Sequence, residues 1–123
     1  MSALAFFDIL EGAREAGTTR LSAAAVAEIF ELQQQELAAL AGVHRNTLRT
    51  HPESPKLQVT LRDLMRLLSA ASEDHEDLPR AVFLIKNEPI PAFRHKTLIQ
   101  LVGVDRAEDA IGYLESVRSG FAG

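Results

Sequence analysis

Apolar positions along this chain recur at the spacing of amphipathic helices. Leu4, Phe7 and Leu10 mark a first helix ended by Gly17, with Phe6 on a neighbouring face, and Val26, Ile29 and Phe30 mark a second capped by Ser22. Leu37, Leu40 and Ala41 make a third, opened by Gln33 and stopped by Gly42, where a left-handed backbone is needed. Val43 leads into a short fourth helix starting near His44. From Thr50 to Lys56, two prolines with His51, Glu53 and Ser54 read as a loop. Thr60 and Asp63 then form a capping-box pattern before the stripe Leu61, Leu64, Met65 and Leu68. Beyond Pro79, a helix carries Ala81, Val82 and Ile85, and the segment Asn87 to Lys96 reads as an extended connection packed through Ile90 and Phe93. Thr97 and Gln100 box a short helix ending at Gly103, and Asp105 and Glu108 box the last one, whose apolar face is Ala107, Ala110, Ile111, Leu114 and Val117. The fold class predicted is all-α.

The stretch from Leu32 to Arg49 has the form of a helix-turn-helix. Ala38 and Ala41 are small enough for two helices to cross steeply, while Val43 and Leu48 plug the angle between them. His44, Arg45, Asn46, Thr47 and Arg49 are left facing outward, with Gln34 at the start of the preceding helix. Arg bridges guanine or a phosphate, Asn pairs with adenine, and Thr bonds a base edge or touches a thymine methyl, so the set suits the major groove of duplex DNA. The alternative is a helical hairpin whose polar face is simply solvated.

Charge at first argues against a nucleic-acid partner, because the 123 residues carry a net charge of −4. Its distribution changes that picture: residues 44 to 66 hold Arg45, Arg49, Lys56, Arg62 and Arg66 against only Glu53 and Asp63. A basic patch on an acidic protein attracts phosphates while the remaining surface avoids indiscriminate binding. A hydrophobic content of 46% fits a folded domain with a real core. The absence of cysteine removes disulfides and thiolate metal sites and fits a reducing cytosol. With no apolar run of membrane-spanning length and no leader pattern, a cytoplasmic protein without a membrane partner is expected.

No Gly-rich phosphate loop, cysteine nucleophile or metal-ligand spacing is present, and His44, His51, His75 and His95 read as surface or cap residues. Neither catalysis nor a metal or other cofactor is therefore expected. The acidic run Glu73, Asp74, Glu76 and Asp77 around His75 marks a boundary, dividing the chain into 1–76, with the helix-turn-helix, and 77–123.

From Phe30 onward the order of segments resembles the Xre/MbcA/ParS antitoxins. Gly42-Val-His-Arg-Asn-Thr-Leu-Arg and Leu61-Arg-Asp-Leu-Met-Arg-Leu-Leu are similar to their Xre-type helix-turn-helix. Ala81 to Phe93, Lys96 to Val102 and Arg106 to Gly120 are similar to their toxin-binding domain. His44 and Gln33 depart from the family's usual Ser or Thr at helix starts. The resemblance implies an Xre-like bundle followed by a small helical toxin-binding domain. It implies a dimeric antitoxin that binds operator DNA to regulate its own operon and neutralises a RES-domain toxin, a class that attacks NAD or transfers ADP-ribose. Toxin contact would fall on Arg118, Ser119, Gly120 and Phe121, with the Glu88 to Lys96 loop as the other occluding surface. A stand-alone Xre-family repressor with a C-terminal dimerisation domain shares every feature of residues 20 to 70.

Overall fold

The computed structural model describes residues 3–15, 20–73 and 77–118. It is helical, with no strand among the described residues: α1 (Ala3–Gly12), α2 (Ala23–Phe30), α3 (Gln34–Ala41), α4 (Thr47–Thr50), α5 (Pro55–Ser72), α6 (Leu78–Asn87), a single 3-10 turn (Pro91–Phe93), α7 (Leu98–Gly103) and α8 (Ala107–Arg118). No helix among them is long and apolar enough to cross a membrane.

The long α5 is the axis of the molecule. Leu57, Leu61, Leu64 and Leu68 recur along it at helical spacing, and all are fully buried, as is Leu67 beside them. It packs against α2 and α3 on one side and against α6, α7 and α8 on the other. One buried cluster therefore runs from Val26, Phe30 and Leu37 through α5 to Ile85, Leu98, Leu101 and Ala110. The expected boundary at residue 76 lies in the link between α5 and α6, yet residues from both sides of that link fill the same core.

Helix ends decide how the short elements turn. Ser22 Oγ accepts the Ala25 N–H at 3.1 Å and caps α2, as its sequence predicts. At the start of α3, Glu36 Oε1 accepts the Gln33 N–H at 2.9 Å. Thr97 and Gln100 exchange both bonds of a capping box before α7. Gly42 has a left-handed φ of 69°, with its N–H on Ala39 O and the Val43 N–H on Ala38 O at 3.0 Å, the paired bonds of a Schellman stop. The same pair of bonds ends α2 at Glu31 and α7 at Asp105, two non-glycine residues with φ of 53° and 61°.

Several expected boundaries move. α1 ends at Gly12, because buried Ala13 accepts the Ser22 N–H and Arg14 pairs antiparallel with Leu21, which turns the chain back; Gly17 lies outside the described residues. α5 begins at Pro55 rather than near Leu61, since proline at the first helical position has its φ already set; Thr60 is thus an interior, buried residue and caps nothing. Asp105, being left-handed, ends α7 and cannot box α8, and Glu108 bonds Arg66 instead. Gly103 is small for another reason: a Cβ there would sit 3.1 Å from Leu40 Cδ2, so α7 crosses close to α3. The Asn87 to Lys96 connection is compact rather than extended, closed by Ile90 N–H to Lys96 O at 3.0 Å and His95 N–H to Ile90 O at 2.9 Å. Phe93 braces it edge-on to Tyr113, ring centres 6.0 Å apart, with the Arg106 guanidinium 5.3 Å from the centre of the Phe93 ring. On α8, Ala107, Ala110, Ile111 and Leu114 are buried as expected, but Val117 is exposed.

Candidate nucleic-acid interface

The turn after α3 is wound tightly. Thr47, Leu48 and Arg49 donate to the carbonyls three residues back, of His44, Arg45 and Asn46, and only with Thr50 N–H to Asn46 O at 2.9 Å does the four-residue step begin. Regular α geometry thus starts at Thr47, three residues after the expected start at His44. His44 still opens the turn: its Nδ1 accepts the Asn46 N–H at 3.1 Å, the task a Ser or Thr oxygen performs elsewhere. At the other end Thr50 Oγ1 donates to Asn46 O at 2.9 Å, which commits its proton, so His51 Nδ1–H donates to that hydroxyl at 2.9 Å. A four-residue helix with no buried residue is held by these end bonds and by half-buried Val43 and Leu48 against the core.

The side chains singled out in the sequence divide into two groups. Gln34, Arg45, Asn46 and Arg49 come together around one open groove of about 430 Å³, lined also by Ala27, Leu37 and Leu48, and all four are exposed. His44 and Thr47 do not line it; the first is exposed and spent on its cap, the second half-buried. Ala23 and Ala24, to which helical spacing gives no special place, complete its lining. The Ser22 cap was the available signal, because it places the positive first turn of α2 beside two arginines, where a phosphate is favoured.

Arg45 and Arg49 have no ion-pair partner among the described residues, so their guanidinium groups are available to an anion. The wider basic patch expected over residues 44 to 66 does not form. Lys56 sits by Asp63 and Asp105 in another groove, and Arg62 lies with Arg14 near α1. Arg66 is engaged by Glu108 at 2.6 Å and Asp63 at 3.4 Å. The helix period is part of the cause: along the 18-residue α5, Lys56 points away from Arg62 and Arg66, which lie four residues apart on one face and border the groove near α1. The hydrogen bond from Arg66 holds the Glu108 carboxyl below its ordinary range. Burial pushes Asp63 up, outweighing the same arginine.

Of the four residues expected at a toxin contact, Arg118 ends α8, and Ser119, Gly120 and Phe121 lie outside the described residues. Phe6 and Phe7 belong to α1. No group of three or more potential metal ligands occurs among the described residues. Compared with known protein families, curated proteins and solved structures, the chain matches none.

Proposed function

We propose that the chain is a DNA-binding regulator that grips duplex DNA with the groove around α4. The observation carrying this reading is the convergence of Arg45, Arg49, Asn46 and Gln34, all exposed, on one concave surface bordered by the first turns of α2 and α3. Two free guanidinium groups and the positive helix ends suit phosphates, while Gln34, Asn46 and the same two arginines are side chains of the types that read base edges.

The wider reading is an antitoxin of a type II toxin-antitoxin system that represses its own operon and neutralises a RES-domain toxin in the cytoplasm without itself being an enzyme. It is supported by the order of sequence segments along residues 30 to 120 and by the all-helical architecture. A stand-alone repressor is favoured by one observation: α6, α7 and α8 complete the core of α5, which gives them a structural task that needs no toxin.

The test has two arms. Fluorescence anisotropy with a duplex from upstream of the chain's own coding sequence, against a scrambled duplex, should show tighter binding to the former; equal and weak binding to both removes the DNA reading. Co-expression with the product of the adjacent gene, followed by gel filtration, should give a stable complex if the chain is an antitoxin. Separate elution leaves the repressor.

A further inference from the structure

One side chain that does not line the α4 groove is bonded to the chain beside both of its walls. Gln58, half-buried near the start of α5, makes three hydrogen bonds through its amide, all to backbone. Its Oε1 accepts the Leu21 N–H at 3.0 Å, and its Nε2 donates to Leu21 O at 3.1 Å and to Pro52 O at 2.8 Å. The partners fix which end of the amide is which, because one N–H needs an acceptor and two carbonyls need donors; both amide hydrogens are thereby used. In the antiparallel bridge of Arg14 with Leu21, the bonds run from Glu15 N–H to Arg20 O at 2.8 Å and from Ser22 N–H to Ala13 O, so Leu21 has its own N–H and carbonyl left for Gln58. Leu21 precedes Ser22, the cap of α2, whose first turn supplies Ala23 and Ala24 to the groove. Pro52 follows His51 at the end of α4, the helix that supplies Arg49.

We propose that Gln58 is the positioning residue of the α4 groove: it ties the start of α2 to the end of α4 and so sets where Asn46 and Arg49 stand against the first turn of α2. The inference rests on the reading of that groove as a DNA site. α4 has no buried residue and packs mainly on α3, so little else fixes it relative to α2. A shift of roughly 1 Å is enough to spoil a site whose supporting bonds are loose, and a paired contact to a base edge is less forgiving of it than a long arginine on a phosphate. Loss of the Gln58 tie therefore degrades sequence discrimination while leaving the electrostatic attraction in place.

The variant that tests this is Gln58→Met, which keeps the length of the side chain and removes all three bonds, with Ile111→Val, a trimmed buried residue of α8, as the control for general destabilisation. Amide hydrogen exchange of the full chain without DNA should show the Leu21 and Thr50 N–H groups exchanging about tenfold faster or more in Gln58→Met, relative to Ala110 in α8, with no such change in Ile111→Val. In fluorescence anisotropy, the preference for the upstream duplex over the scrambled one should fall about fivefold or more in Gln58→Met, at an unchanged salt slope, because Arg45 and Arg49 still neutralise phosphates. Gln58→Glu, which keeps the acceptor for Leu21 but loses both donors, should lose discrimination as well. Unchanged exchange at Leu21 and Thr50 would overturn the proposal whatever the DNA result. Intact discrimination in Gln58→Met, or an equal loss in Ile111→Val, would overturn it too. A parent that does not distinguish the duplexes removes the reading of the groove instead, and the exchange measurement still decides whether Gln58 holds its walls.

Discussion

Two helices separated by one short loop follow opposite rules. α5 has 18 residues, ten of them buried, and touches α2, α3, α6, α7 and α8; α4 has four residues, none buried, and is held by its ends. The first is held by the hydrophobic effect and would form with many apolar sequences of similar volume. The second depends on individual hydrogen bonds, those of His44, Asn46 and Thr50, and on the angle set by Gly42. A surface that must meet another molecule cannot spend its side chains on the core, so its geometry has to come from caps and turns. Substitutions in α5 should therefore damage the whole protein, and outward substitutions in α4 should damage binding alone.

The largest effect that could break this contrast is Leu64→Ala. It removes a fully buried side chain at the centre of the shared core and should cost about 2 to 5 kcal/mol, measured by denaturant unfolding. Unfolding should stay a single transition, because both halves use α5; two separated transitions would show that 1–76 and 77–123 fold independently. Gly42→Ala comes next. Open space surrounds Gly42, so the cost of about 1 to 2 kcal/mol is purely that of a left-handed backbone with a side chain. A melting curve identical to the parent's would show that the stop at Gly42 carries no such strain. Glu31→Gly sharpens the same point with the opposite sign: at φ 53° it should stabilise by up to about 1 kcal/mol, and a destabilised variant would mean that the Glu31 side chain matters more than its strain.

The smallest effect concerns the tie between α5 and α8. Glu108 titrates below an ordinary carboxyl, so its pairing with Arg66 favours folding above the unfolded pKa and fades as pH falls through the lowered folded value. Asp63 is raised by burial and acts in the opposite sense, favouring folding at low pH. Arg66→Ala removes the Glu108 bond and the charge that moderates Asp63. It should therefore destabilise slightly at about pH 7 and less at about pH 3. Equal denaturant midpoints for parent and variant at both values would assign the pair no role.

Much of the fold was legible because apolar spacing and caps are local signals: Ser22, Gly42 and the Thr97 to Gln100 box all act within one turn of their own position. What was not legible depends on neighbours distant in sequence or on a competing signal nearby. Thr60 and Asp63 look like a capping box, but Pro55 starts the helix earlier and Thr60 is buried. Asp105 looks like a cap for α8, yet it is consumed in stopping α7. The candidate site was half legible. Helical spacing after the turn put Arg45, Asn46 and Arg49 on one surface, whereas the charge balance over residues 44 to 66 ignored direction and summed cations that the structure disperses.

The central claim, that α4 binds DNA through side chains the fold does not need, is tested most directly by Arg45→Ala combined with Arg49→Ala. Affinity for the upstream duplex should be measured over a salt series, with circular dichroism and the melting midpoint recorded on the same samples. The expected result is an unchanged midpoint and a slope of log affinity against log salt reduced by about 0.9 for each phosphate no longer neutralised. Discrimination against the scrambled duplex should also fall by ~1 to 3 kcal/mol where either arginine reads a base edge. An unchanged salt slope and affinity in a fully folded double variant would contradict the claim.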